Sequence, residues 1–198
     1  MASQRRSSRR SSRRAAGGRG PYRIGLVSDT HGLYREELQV ILGGVEEILH
    51  AGDVGKPEVL ERLRLLAPVS AVKGNVDVCV KELNLPSFLI RDLHGVSILI
   101  THYSGMPEQP LPPVAAVLRA EKPRLILSGH THMPLIAEHG GVLFVNPGSC
   151  GPRRFRTPIS CGLLTIQEPE APHTPPKFHV RVLDLESGAV LESYGSGA

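Results

Sequence analysis

Seven side chains able to hold a divalent cation recur along the chain: Asp29, His31, Asp53, Asn75, His102, His130 and His132. They amount to four imidazoles, two carboxylates and one amide, a mixed nitrogen and oxygen set without thiolate. One octahedral ion could not use all seven as well as water, whereas two ions sharing a carboxylate could. Asp53 suits the shared position, because a carboxylate has two oxygens and enough charge to hold two cations close. Two such ions, about 3.5 to 4 Å apart, clamp the attacking and leaving oxygens of a displacement at phosphorus. An isolated Asp-x-His or His-x-His is weak evidence, since most histidines are ordinary surface or hydrogen-bonded residues. The evidence is the conjunction of several such motifs in one setting.

That setting is the end of an apolar run. Ile24 to Val27 leads into Ser28-Asp29-Thr30-His31-Gly32, and Glu47 to His50 leads into Ala51-Gly52-Asp53. Val69 to Val72 precedes Lys73-Gly74-Asn75, and Val96 to Thr101 precedes His102. Leu125 to Ser128 precedes Gly129-His130-Thr131-His132, and Val142 to Val145 precedes Asn146-Pro147-Gly148-Ser149. Short apolar runs of this kind read as buried strands. Ligands of open α/β sheets bind outside the carboxyl ends of strands, so these loops are expected to meet at one edge. In an extended segment His130 and His132 would share a face, but the chain leaves the strand at Gly129 and each imidazole is free to take its own direction.

Helical patterns separate the early strands. A helix is predicted from Tyr34 to about Leu42, ending at Gly43-Gly44. Another begins at Pro57, with Val59, Leu60, Leu63 and Leu66 as its apolar stripe, and a third covers Pro113 to Glu121. After His132 the pattern turns to strands. A hairpin is expected over 135–138 and 142–145 around His139-Gly140-Gly141, then strands at Gly162 to Ile166 and Phe178 to Leu183, and a last turn at Glu186-Ser187-Gly188 leading to Val190 and Leu191. The stretch Glu168 to Pro176 is a Pro-rich loop.

The formal charge of +4 is misleading, because residues 1–20 hold seven arginines and no acid. The remainder has 16 basic against 19 acidic residues, or −3, so residues 21–198 form a mildly acidic domain. The Arg-Arg-Ser-Ser repeats of residues 1–20 cannot build a core and read as a disordered tail. Three uses compete for that tail: an organelle transit peptide, an arm contacting nucleic acid, or a solvated extension without a partner. Three cysteines at uneven spacing form neither a disulfide framework nor a zinc pattern, which points to a reducing, cytoplasmic setting. No apolar run is long enough for a membrane span.

The ordered set SDTHG, HAGD, GN, TH and GHTH, continued by NPGS, resembles the calcineurin-like metallophosphoesterases. Within that superfamily it is most similar to the small stand-alone phosphodiesterases of bacteria and archaea, from about Tyr22 to Ser149. The resemblance implies a four-layer αββα sandwich, two mixed β-sheets packed together with helices outside. It also implies a division of ligands, with Asp29, His31, Asp53 and His132 on one ion and Asp53, Asn75, His102 and His130 on the other. The ions would be Mn²⁺ first, or Fe, Zn²⁺ or Ni²⁺, and mixed ligation does not choose among them. A hydroxide bridging them would attack a small phosphoester in line. Asp53, Asn75 and His102 are the expected catalytic group, and His50 is expected to support the ligands from behind. Arg153 and Arg154 are candidates to neutralise a phosphate oxygen. The alternative is a non-enzymatic scaffold of the same fold, like the retromer subunit.

Two departures from the family pattern stand out. Larger phosphatases carry Gly-Asn-His, whereas Asn75 is followed by Val76 and Asp77. The histidine of the TH motif is usually followed by glycine, whereas His102 is followed by Tyr103 and Ser104.

Overall fold

The alternation of faces along each strand dictates the layers. In β1 (Tyr22–Val27), Ile24 and Leu26 point one way and Val27 the other; all three are buried, so both faces of the strand are covered. The computed structural model describes residues 20–196 other than 155, 170 and 172, so the Arg/Ser-rich tail lies outside the described residues except for Gly20.

After β1 the chain forms α1 (Glu37–Leu42), β2 (Glu47–His50), α2 (Pro57–Arg64), β3 (Val69–Ala71) and a 3₁₀ turn (Val76–Cys79). There follow β4 (Phe88–Leu93), β5 (Val96–Thr101), the two-residue strands β6 (Gly105–Met106) and β7 (Gln109–Pro110), and α3 (Pro112–Glu121). The remaining elements are all strands: β8 (Leu125–Leu127), β9 (Pro134–His139), β10 (Val142–Pro147), β11 (Ser160–Ile166), β12 (Phe178–Asp184) and β13 (Val190–Gly195).

Two mixed sheets result, in the orders β13-β12-β11-β1-β2-β3 and β4-β5-β8-β10-β9. Ile24, Leu26 and Leu49 of the first sheet meet Ile98, Ile100, Leu125 and Leu127 of the second in the central core. The outer face of the first sheet is covered by Leu38 and Leu42 of α1 and Leu60 and Leu63 of α2. Leu99 and Ile126, on the outer face of the second sheet, pack on Val114 of α3. This is the four-layer αββα arrangement expected from the motifs. Among the described residues no helix is long and apolar enough to cross a membrane.

Within each sheet, the strands that feed the polar motifs are parallel: β1, β2 and β3 in one, β5, β8 and β10 in the other. Their carboxyl ends therefore share an edge. The loops there are stitched to one another by the backbone: the Asp29 N–H donates to Gly52 O, the His31 N–H to Asp53 O, and the Gly129 N–H to His102 O.

Several elements differ from the sequence reading, among them the short strands β6 and β7 and the 3₁₀ turn, which were not expected. The first helix begins at Glu37 rather than Tyr34, because Arg35 is held by the Gly151 carbonyl and Arg62 stacks over the Tyr34 ring. Leu66 lies past the end of α2, in the turn, yet still packs on the core. Strand β4 was not expected. It is an edge strand with Phe88 and Ile90 outward, tied to β2 by an ion pair between Arg91 and Glu47 at 2.8 Å.

Candidate metal centre

The six loops bring most of the predicted donors together in two overlapping groups: Asp29 with His31 and His132, and Asp29 with Asp53 and His102. In the first, the Nε2 atoms of His31 and His132 are 3.2 Å apart, and Asp29 Oδ1 is 3.3 Å from His132 Nε2 and 3.9 Å from His31 Nε2. In the second, Asp53 Oδ2 is 3.4 Å from His102 Nε2. The same oxygen is 3.6 Å from His31 Nε2. Asp53 Oδ1 is taken by the Val76 N–H at 2.9 Å. Asp53 Oδ2 is thus the oxygen that faces both histidines.

These separations fit a cation. With bonds of about 2.1 Å, neighbouring donors stand about 3.0 Å apart around an octahedral ion and about 3.4 Å around a tetrahedral one. His102 supplies a sharper indication. Its Nδ1 donates to the Ala51 carbonyl at 2.8 Å, which leaves Nε2 with a lone pair. That buried Nε2 has no hydrogen-bond partner among the described residues and faces a carboxylate oxygen 3.4 Å away, so it is aimed at the same point as Asp53. Nδ1 of His132 is likewise buried without a partner.

His130 and Asn75 lie outside the two tight groups. The His130 ring stands edge-on to His102, with centroids 5.2 Å apart, and lies 4.6 Å from Tyr103. His132 instead stacks on His31 at 5.1 Å. The two histidines of GHTH therefore diverge. Asn75 is exposed and lines a hollow beside His102. The arginine pair also separates. Arg154 reaches to 3.3 Å from His31 Nε2, whereas Arg153 is paired with Glu186 on the surface and is not brought to the cluster.

Burial and neighbouring charge set the protonation of the donors differently. Burial lowers the pKa of His31 and His130, and that of His132 to about 4 with help from Arg154, so these rings are neutral at pH 7. Burial raises Asp29 to about 6 against the pull of His102. Burial also works to raise Asp53, but His102 and the Val76 N–H outweigh it and hold the carboxyl at about 2. For His102, burial is outweighed by Asp53 and the Ala51 carbonyl, and its pKa is raised.

The backbone under these donors is unusual. Asp29, His31, Asp53, His130 and His132 all have φ between +46° and +69°. This left-handed region costs L-residues about 1 kcal/mol each and is tolerated best by Asp, Asn and His. Close approach adds a further constraint at Gly74, where a Cβ would fall 2.2 Å from both the Asp53 nitrogen and Oδ1.

Supporting residues complete the geometry. His50 is fully buried: Nδ1 accepts the Gly52 N–H at 3.1 Å and Nε2 lies 3.0 Å from Thr30 Oγ1. Burial holds its pKa at about 4, so it is a neutral brace between the Asp29 and Asp53 loops. Asn146 Nδ2 donates to Gly129 O at 2.8 Å and to Thr131 Oγ1 at 2.9 Å, which braces the GHTH loop. Ser149 Oγ donates to Asp29 O at 2.9 Å.

Asp77 had no assigned role in the sequence reading. Its carboxylate accepts the N–H groups of Val54 (3.1 Å), Gly55 (2.7 Å) and Gly74 (2.8 Å), joining the Asp53 loop to the Asn75 loop. The one local signal was an acid three residues after Gly74, in reach of its N–H. The other two donors are distant in sequence.

Comparison with known proteins shows the family and the fold. The calcineurin-like phosphoesterase superfamily domain matches residues 22–169. The chain is 35% identical over 133 residues to a probable metallophosphoesterase of Methanocaldococcus jannaschii, covering 64% of this chain and 67% of that protein. It is 26% identical over 159 residues to a protein of the same organism described as a phosphodiesterase, covering 72% and 87%. Among solved structures, Vacuolar Protein Sorting 29 of Cryptosporidium parvum superposes with a TM-score of 0.69 at 21% identity, over 90% of this chain and 98% of that one.

Proposed function

We propose that this chain, which belongs to the calcineurin-like phosphoesterase superfamily, is a two-metal phosphodiesterase acting on a small phosphoester, with Mn²⁺ as its working ion. The observation that carries this reading is the convergence of His31, His102 and His132 nitrogens on two buried carboxylates, with His102 Nε2 left unpartnered. Asp29, His31, Asp53 and His132 would hold one ion, and Asp53, Asn75, His102 and His130 the other. Divalent cations in such a site stabilise charge on phosphoryl oxygens and acidify water for attack at neutral pH.

The chain's own groups have definable tasks. Asp53 Oδ2 lies within 3.6 Å of both His31 and His102 and supplies the negative charge that lets two cations approach. The Ala51 carbonyl fixes the His102 tautomer, so that Nε2 faces the site. Asn75 adds a neutral oxygen beside His102 without raising the local negative charge. Arg154 presents a guanidinium next to His31, where it can meet a non-bridging phosphoryl oxygen. A cytoplasmic location accords with three free cysteines.

A partner-binding scaffold of the same fold is the second reading, favoured by the likeness to Vacuolar Protein Sorting 29. A scaffold has no need of buried imidazoles aimed at carboxylates, and the hydrolase reading accounts for them. The test is to strip the protein with chelator, restore Mn²⁺ and follow bis-p-nitrophenyl phosphate beside the monoester. Metal-dependent turnover that disappears in Asp53→Ala is expected. Absence of turnover with every divalent ion, or its persistence in the variant, would refute the reading.

A further inference from the structure

Beside His102 the surface sinks into a hollow of about 390 Å³ walled by Asn75, Val78, Phe88, His102 and Tyr103. A second hollow of about 280 Å³ is contiguous with it, since Lys73 and Val78 line both, and Lys81 lines the second. The register of β4 on β5 sets Phe88 opposite Thr101, one residue before His102, so this groove opens directly from the candidate centre.

Its lining is chemically distinctive. Val78 is 70% exposed, Tyr103 40% and Phe88 37%, although all three are large and apolar. Single exposed apolar residues need no explanation, but three around one hollow beside a reactive centre mark a binding surface. Among the described residues neither Lys73 nor Lys81 has a carboxylate partner. The acid lining the groove, Asp77, has its oxygens occupied by three backbone N–H groups. Two ammonium groups without an ion pair among the described residues thus line the groove with the aromatic rings, in a domain whose net charge is negative.

We infer that this groove seats the non-reacting substituent of a phosphodiester, and that this substituent is a planar aromatic group bearing a second anionic group, as in a nucleotidyl ester with a further phosphate. The inference rests on the hydrolase reading above and narrows its substrate class. A flat ring stacks on Tyr103 and Phe88 and covers Val78, a contact that tolerates any base. Lysine serves a terminal phosphate as a compact point charge. An alkyl or glycerol substituent would leave the aromatic wall wet and both lysines unmatched.

Three diesters with one leaving group test this on the Mn²⁺-loaded protein: methyl p-nitrophenyl phosphate, thymidine 5′-p-nitrophenyl phosphate, and the latter carrying a 3′-phosphate. We expect kcat/KM to rise at least tenfold at each step, chiefly through KM. Val78→Asp should erase the first step and Lys73→Ala/Lys81→Ala the second. Calorimetry gives an independent reading: thymidine 3′,5′-bisphosphate should bind at least tenfold tighter than inorganic phosphate, and both variants should lose at least fivefold. All three substitutions are at exposed positions, and circular dichroism melts verify folding. Equal kcat/KM for the three diesters, or bisphosphate binding no tighter than phosphate or unchanged in the variants, overturns the inference. Failure to hydrolyse any of the three diesters with any divalent ion refutes the hydrolase reading instead, and the calorimetric comparison still decides whether the groove recognises this ligand chemistry.

Discussion

Asp77 offers a prediction that separates support of the loops from contact with the reaction. It is 4% exposed, and its two oxygens accept three backbone N–H groups from two loops. Hydrogen bonds to a charged group contribute about 1.5 to 3 kcal/mol each, and an orphaned buried donor costs a similar amount. In Asp77→Asn, one amide oxygen can still accept from Val54 and Gly74, but its NH₂ must face the Gly55 N–H. One charged bond is lost, two become neutral, and two donors confront each other, for a total of about 3 kcal/mol. Asp77→Ala would orphan all three donors and lose about 5 kcal/mol, which approaches the whole net stability of many domains. The asparagine variant is therefore the informative one. Urea unfolding in the presence of chelator, followed by circular dichroism, should show a midpoint lower by about 1.5 M if the slope is about 2 kcal/mol per molar. Turnover of bis-p-nitrophenyl phosphate at saturating Mn²⁺ should fall about 10- to 100-fold, as for other groups that orient metal ligands. A midpoint within about 0.3 M of wild type would show that the three bonds are not what joins the loops, and the reasoning would fail.

Gly74→Ala places a Cβ against the Asp53 backbone and carboxylate, so Mn²⁺ affinity measured by calorimetry should drop at least tenfold, and unchanged affinity would show that the loop can yield. Asp29, raised to about 6, must lose its proton to bind a cation, so affinity should weaken as pH falls below about 6. The same shift has a stability consequence of fixed sign: without metal the folded state binds the Asp29 proton more tightly than the unfolded state. Its contribution is therefore present at low pH and is lost as pH rises from about 4 to about 6, which denaturation across that range would detect. Cys79 is exposed while Cys150 and Cys161 are buried, the Cys150 thiol being pushed up to about 12 by burial; a native thiol titration should give one equivalent and a denatured one three.

The centre was largely legible in the sequence because parallel strands send their carboxyl ends to one edge, so a list of strand-terminal polar residues is close to a list of neighbours. Strand periodicity alone could not say how side chains leave a turn; the divergence of His130 from His132 was expected from the chain leaving the strand at Gly129, and backbone with φ of 69° and 60° carries it. Strand β4 escaped notice because an edge strand carrying Phe88 and Ile90 outward lacks the clean alternation of a half-buried one. Asp77, Asn146 and Ser149 act through backbone groups of other loops, and a backbone N–H or carbonyl leaves no trace in residue identity. Arg153 and Arg154 show the limit of adjacency: neighbours in sequence, they serve a surface ion pair and the His31 environment respectively.

The left-handed backbone beneath Asp29, His31, Asp53, His130 and His132 sets two optimisations against each other. Asp29 and Asp53 also accept the His130 and Val76 N–H groups, but glycine would relax the three histidine positions, so a search for greater thermal tolerance would drift toward replacing His31, His130 and His132 and would erase the centre while improving the fold. A saturation library scored for folding alone would then rank glycine above the native residue at those places, whereas one scored for turnover would forbid it. The disagreement between the two rankings would trace the outline of the site without any knowledge of its ligand.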